Sequence, residues 1–185
     1  MSVAAIVLAA GASRRLGEPK QLVRLGKETL LERTVRVCYE AGCTPVIVVL
    51  GAAADLIREQ CALSGVHTVV NDEWAQGMGT SIRAGARGLG SDVEGCLIVT
   101  CDMPAVSAEH LQKLMRVGDL AASAYAGRRG VPAYFPRATL GELLKLSGDQ
   151  GARELLKQAR PVELAYGELD VDTAEDLERM HEILS

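Results

Sequence analysis

The chain alternates short, unbroken apolar runs with segments whose apolar residues recur every three or four positions. Val3 to Ala10 is a continuous apolar run ending at Gly11, which predicts a strand buried on both faces. Leu30, Leu31, Val35, Cys38 and Ala41 form a helical stripe, and Gly42 stops it. Pro45 opens a second apolar run, Val46 to Leu50. Ala53 to Ala62 reads as helix and Val66 to Val70 as a third strand. Residues 80–88 read as helix, although Gly85 weakens that pattern. Cys96 to Thr100 reads as a fourth strand, and Ser107 is placed to cap a helix running to about Val117.

Strand and helix in alternation imply right-handed crossovers and a parallel sheet covered on both faces. The rhythm changes near residue 121. Ala121 to Ala126 and Val131 to Phe135 flank Gly127 to Gly130, which suggests a hairpin or an antiparallel excursion. Short helical segments follow at about 138–146 and 151–159, with Val162 to Tyr166 as another strand. Thr173 and Asp176 have the spacing of a capping box, with Asp in place of Glu or Gln. The helix they open would present Leu177, Met180 and Leu184 on one face. No repeat, low-complexity stretch or linker divides the chain, so residues 1–185 read as one α/β domain.

Composition narrows the function. No apolar run reaches the roughly 18 residues a membrane helix needs. Aromatic residues are 3% of the chain, too few for a platform that stacks single-stranded nucleic acid. The net charge of −4 disfavours general affinity for nucleic acid or anionic membranes. The opening run resembles a signal peptide, but no basic segment precedes it, and Arg14 and Arg15 follow it. The five cysteines are odd in number and form no CxxC pair, so reduced thiols in a cytoplasmic chain are expected. The three histidines sit at no zinc-like spacing to them.

Ligands of open parallel sheets bind beyond the carboxyl ends of the strands. After the first strand, Arg14, Arg15, Lys20, Arg24 and Lys27 place five cations in 14 residues, against one acid, Glu18. Gly11 would let the backbone turn sharply, and exposed amides there can cradle phosphate. A solvated basic loop explains the same cluster equally well. Neither GxxxxGK(S/T) nor GxGxxG occurs: Gly11 and Gly17 are one residue too far apart for the former, and Glu18 stands where its Lys would be. After the fourth strand comes Asp102, placed to hold magnesium or simply to form a turn before Pro104. Asp170 and Asp172 lie on one face if their segment is extended. After the third strand, Gly77 and Gly79 allow close approach of a ligand. Ser81 could cap the next helix or donate to a base or ribose, and Trp74 reads as a packing residue.

Taken in order, these segments resemble the molybdenum cofactor nucleotidyltransferases, specifically the cytidylyltransferase branch. Leu8 to Gly17 with Lys20 resembles the family's LAAGxSxRxGxxK. Asn71, Trp74 and Gly77 to Ser81 are similar to NxxWxxGMG(S/T)S, and Asp102 to Pro104 matches DMP. Gly130, Pro132 and Phe135 resemble GxPxxF, Gly148 to Arg153 matches GDxGAR, and Asp170 to Leu177 resembles DIDTPEDL with Ala174 in place of Pro.

The resemblance implies a Rossmann-like, three-layer nucleotidyltransferase fold with a mainly parallel sheet and helices on both faces. It implies transfer of CMP from CTP to the terminal phosphate of molybdopterin, with release of pyrophosphate. The guanylyltransferase branch more often has Ala-Gly-Gly where this chain has Ala9, Ala10 and Gly11, which favours CTP over GTP. In that reading Lys20, with Arg15 nearby, neutralises the departing pyrophosphate. Asp102 and Asp172 hold magnesium, or alternatively manganese. Leu8, Ala9, Ala10, Gly11, Asn71, Gly77 and Ser81 line the nucleotide site, and residues 121–153 shape the pterin pocket, with Arg128, Arg129 or Arg153 for its phosphate. The implied partners are small molecules, with a transient contact to a molybdoenzyme or its chaperone, and no nucleic acid or membrane. The alternatives are transfer to a sugar or polyol phosphate, a non-catalytic nucleotide or cofactor chaperone, and a thiol redox protein using Cys101.

Overall fold

The computed structural model describes residues 2–150 and 152–184. Its main sheet is built from β1 (Ser2–Ala9), β4 (Val46–Leu50), β5 (His67–Val70), β6 (Val93–Thr100), β7 (Ala121–Tyr125), β8 (Arg128–Pro136) and β9 (Arg160–Glu163). Two two-residue strands, β2 (Arg24–Leu25) and β3 (Glu28–Thr29), pair as a separate hairpin. The order across the main sheet is β5-β4-β1-β6-β8-β7-β9. β8 runs antiparallel to both of its neighbours, and every other pair is parallel.

Alternate residues of β1 enter different cores, as period-two geometry requires. Ala5, Val7 and Ala9 pack with α1 (Leu30–Glu40), α2 (Ala54–Gln60) and α4 (Ala108–Arg116) through Leu31, Val35, Ile57, Leu111 and Leu114. Ala4, Ile6 and Leu8 face the opposite layer, where Ile82 of α3 (Met78–Ala86), Leu143 of α5 (Leu140–Leu143) and Leu156 of α6 (Arg153–Leu156) cover the sheet. The expected three-layer α/β fold with a mainly parallel sheet is the observed one.

A third, smaller core matters more for chemistry. Met180 of α7 (Ala174–Leu184) packs with Val23, Leu30, Leu169 and Val171. This cluster draws the C-terminal segment against the loop after β1. The expected capping box starts α7: the Thr173 amide donates to Asp176 Oδ2 at 2.8 Å, and the Asp176 amide donates back to Thr173 Oγ1 at 3.3 Å.

Several boundaries differ from the sequence reading. The helix expected at 80–88 starts two residues earlier, at Met78. The hairpin turn is Ala126-Gly127, with φ of 47° and 72°, so Arg128 to Gly130 belong to β8. Two positive-φ residues match the twist of tight hairpins better than a four-residue loop does. The segments expected at 138–146 and 151–159 hold one-turn helices, Leu140–Leu143 and Arg153–Leu156. Gly151 of the GDxGAR stretch lies outside the described residues. Among the described residues, no helix is long and apolar enough to cross a membrane.

Candidate active site

The carboxyl ends of β1 and β6 are adjacent in the sheet, so the loops that follow them meet. A cavity of about 460 Å³ opens there, with Leu8, Ala10, Gly11 and Lys20 contributed by β1 and its loop, and Thr100 and Asp102 by the end of β6. Its other residues come from the segment leading into α3, with Trp74 and Gly77, from Ser81 on α3, and from Asp149.

At one end lies a compact charge cluster. Lys20 Nζ donates to Asp102 Oδ2 at 2.5 Å and to Asp172 Oδ1 at 2.9 Å. Arg15 Nη2 donates to the other oxygen of Asp172 at 2.7 Å. Two carboxylates and two cations thus balance. The Lys20 and Asp102 side chains are each 16% exposed, which makes their attraction stronger than that of a surface pair. Burial alone would lower the Lys20 pKa, but the Asp102 charge and the hydrogen bonds it donates to both aspartates outweigh it and hold the ammonium above its ordinary value. Asp170 lies on the flank of this cluster. Burial and the charges of Asp102 and Asp172 push its pKa up to about 6, with Arg128 and Lys20 opposing.

Backbone contacts fix the cluster. The Val171 amide donates to the Asp102 carbonyl oxygen at 2.9 Å, and the Asp172 amide donates to Asp176 Oδ2 at 3.2 Å. The Lys20 amide donates to Ser13 Oγ at 3.0 Å. Arg33 of α1 donates through Nε and Nη2 to the Pro104 carbonyl at 3.2 and 2.9 Å, holding the loop that carries Asp102. Gln21 is fully buried, and its Nε2 donates to the carbonyls of Ala9 and Gly11 at 2.8 and 3.1 Å. Neither Arg33 nor Gln21 was singled out from sequence, because each acts on backbone atoms that become neighbours only when the loops fold together.

The expected nucleotide residues divide into two groups. Leu8, Ala10, Gly11, Lys20, Gly77, Ser81 and Asp102 line the cavity. Ala9 is 2% exposed, faces the opposite core and is not part of the lining. Asn71 is 5% exposed and stands behind the wall, where Nδ2 donates to Thr80 Oγ1 and Ser81 Oγ, each at 2.9 Å. Ala12, Ser13, Arg14, Ala75, Met78, Thr100 and Asp149 also line the cavity. Gly11 shows no positive φ, and a Cβ there would meet nothing within 4 Å. The left-handed positions of that loop are Ser13 and Gly17, with φ of 48° and 82°. Gly77 is the position that requires glycine: its φ is 123°, and a Cβ would overlap Gly148 and Asp149. The GMGTS and GDxGAR stretches therefore pack directly on each other.

The arginines expected near the pterin lie along a separate groove or on the surface. Arg128 sits 5.2 Å from the Tyr125 ring centroid, and Arg129 Nη1 donates to the Lys157 carbonyl at 2.9 Å. Arg153 is exposed. Cys101, beside Asp102, is 2% exposed, and burial with the Asp102 charge pushes its thiol up to about 12. A thiol so placed is not a reactive thiolate.

Charged loops gathered beyond the central strands of such a sheet define a Rossmann-like protein of the nucleotide-handling class. Within that class, the chain belongs to the MobA-like NTP transferase domain family, whose model matches residues 5–163. It is 33% identical over 198 residues to nicotine blue oxidoreductase of Paenarthrobacter nicotinovorans, covering 96% of each chain. It is 25% identical to the molybdenum cofactor cytidylyltransferase of Escherichia coli strain K12, covering 92% of this chain and 91% of that one. That match bears out the resemblance noted from the motifs. Among solved structures, Rv0371c of Mycobacterium tuberculosis superposes with a TM-score of 0.86 at 34% identity, covering 98% of both chains. A complex of Rv0371c with manganese gives 0.83 at 31% identity, covering 98% of this chain and 99% of that one.

Proposed function

We propose that this chain transfers CMP from CTP to the terminal phosphate of molybdopterin. A phosphate oxygen of the acceptor forms a new bond to the α-phosphorus of CTP as the bond to the β-phosphate oxygen breaks, and pyrophosphate leaves with that electron pair. Both reactants are anions, so the barrier is lowered chiefly by positioning and by charge neutralisation, and no protein nucleophile is needed. The observation that carries this reading is the contact of Lys20 Nζ, in the cavity lining with Asp102, with both Asp102 and Asp172.

The donor set suits a hard divalent cation, since two aspartates from different loops offer oxygens within reach of one ammonium. Asp102 and Asp172 would hold magnesium or manganese, and the ion would supply positive charge to the phosphates. Lys20 and Arg15 balance the two carboxylates in the absence of substrate and orient the phosphate chain in its presence. The amides of the loop from Gly11 to Ser13 bind phosphate oxygens, and the α3 wall holds the nucleoside. Arg128, whose charge is felt at Asp170, supplies the acceptor side with a cation.

Cys101, next to Asp102, is buried and its thiol is held protonated, so thiol redox chemistry has no support here. The deciding assay is pyrophosphate release with CTP, GTP, ATP and UTP, with and without molybdopterin and a divalent cation. Release that needs CTP, molybdopterin and the cation together is expected. Release with GTP in place of CTP, or with a sugar phosphate in place of molybdopterin, would replace this assignment.

A further inference from the structure

The cavity is chemically asymmetric. Besides Asp102, which is paired with Lys20, its lining holds one more carboxylate, Asp149, set against Gly77 where the chain enters α3, and the same lining includes Trp74, Ala75 and Met78. Asp149 packs over the bare Cα of Gly77, and a side chain at position 77 would push it away. Asp149 is not one of the acids that meet Lys20, and a carboxylate without such a cation repels phosphate. It accepts hydrogen bonds and donates none, so its partner must be a donor on the ligand.

Ser81, on the same wall, has the complementary polarity. The Glu73 amide donates to Asn71 Oδ1 at 3.1 Å, which fixes the orientation of the Asn71 amide group. Asn71 Nδ2 therefore donates to Ser81 Oγ, and the hydroxyl hydrogen of Ser81 is left to donate into the cavity. The wall thus presents an acceptor, Asp149, and a donor, Ser81, around an apolar surface suited to a flat ring.

Resting on the nucleotidyl-transfer reading above, we infer that Asp149 selects the nucleotide by accepting a hydrogen bond from the exocyclic amine of its base, while Ser81 donates to a ring nitrogen or carbonyl of the same edge. Cytosine carries an amine at position 4 and acceptors at N3 and O2, and so satisfies both groups. Uracil carries a carbonyl at position 4, which would face the carboxylate and be rejected. Sites that hydrogen-bond a polar group discriminate strongly against analogues lacking it, because their own groups are then left unpaired.

The test is calorimetric binding of CTP, UTP and 2′-deoxy-CTP to the full chain with magnesium present, for the parent, Asp149→Asn and Ser81→Ala. Binding needs no acceptor, so the result does not depend on the molybdopterin half of the proposal. The parent should prefer CTP to UTP by about 10-fold or more. Asp149→Asn can turn its amide to donate to the uracil carbonyl. It should therefore gain affinity for UTP while losing it for CTP, collapsing the preference to within about 3-fold. Ser81→Ala should weaken CTP while leaving a preference over UTP. A loss in Asp149→Asn that is equal for CTP and UTP would overturn the inference, as would one that appears with CTP but not with 2′-deoxy-CTP, which would mark a ribose contact. A parent that binds no nucleoside triphosphate would overturn the nucleotidyl-transfer reading itself. A CTP preference that Asp149→Asn leaves intact would remove this inference alone.

Discussion

Val171 donates its backbone N–H to the carbonyl oxygen of Asp102 at 2.9 Å, so two acidic segments 69 residues apart are joined one position away from Asp172. The two backbones are tied together there, and Lys20 Nζ spans both carboxylates. Replacing either aspartate should therefore disable the same device. Asp102→Asn is expected to lower pyrophosphate release by about 10²-fold or more, as does loss of other preorganised charged groups. Asp172→Asn should fall in the same range, and the double variant should cost clearly less than the product of the two. Steady-state rates of the three variants, with melting temperatures to confirm the fold, decide this. Multiplicative losses would mean that the two acids act independently.

Arg33 offers a test one layer further out. Its guanidinium grips the Pro104 carbonyl with two N–H groups, an arrangement a lysine cannot reproduce. Arg33→Lys keeps the charge and frees the loop that carries Asp102. Turnover should drop by about 3- to 10-fold through misplacement of the carboxylate, with a smaller change in the KM for CTP. Parallel kinetics of parent and variant provide the check. Unchanged turnover would show that the loop is held adequately by Val171 and the core alone.

The central strands were legible because Val46 to Leu50 and Cys96 to Val99 are unbroken, buried apolar runs. The cap of α7 was legible because Thr173 and Asp176 bond locally. The place of β8 was not. Its insertion between β6 and β7 depends on long-range pairing, such as Leu97 with Tyr134, which no local pattern encodes. In the site, Lys20 and Asp102 stood out as charges after apolar strands. Asp149 was visible only as part of a motif, since its meaning depends on the bare surface of Gly77, which lies 72 positions earlier. Asn71 stands out in sequence as a polar residue after a strand, but the use of its amide on Thr80 and Ser81 emerges only when the loop meets α3.

Gly77 and Gly11 should separate structural from ligand-facing glycine. Gly77→Ala places a side chain on a residue with φ of 123° and into Gly148 and Asp149, and should destabilise the chain by about 1–3 kcal/mol. Gly11→Ala meets open space on the cavity side and should melt near the parent temperature. On the proposed reading its methyl group would occupy room needed by phosphate, so any stabilisation given by CTP with magnesium should shrink. Thermal scans with and without nucleotide distinguish the two. A Gly11→Ala variant stabilised by CTP as strongly as the parent would place the phosphates elsewhere.

His110 makes a prediction about pH that is independent of catalysis. Its ring is buried between α4 and the sheet, with Nε2 2.8 Å from Ser123 Oγ, and the Ser123 hydroxyl donates to the Pro132 carbonyl at 2.7 Å. Because the serine hydrogen is committed to that carbonyl, His110 must donate from Nε2, and the neutral ring satisfies the arrangement. Burial, with the Lys113 charge adding to it, lowers its pKa to about 4. The unfolded chain, with an ordinary histidine near 6.5, takes up a proton between pH 6.5 and 4 that the folded chain refuses. Stability is therefore lost as pH falls through that window, by up to about 1.4 kcal/mol per pH unit from this residue. His110→Gln can keep the donor to Ser123 without titrating. Urea unfolding of both proteins at pH 7 and pH 5 should show the parent losing about 2 kcal/mol more than the variant over that interval. Equal losses would mean that the His110 ring is accessible to water, and the buried chain from His110 through Ser123 to Pro132 would have to be redrawn.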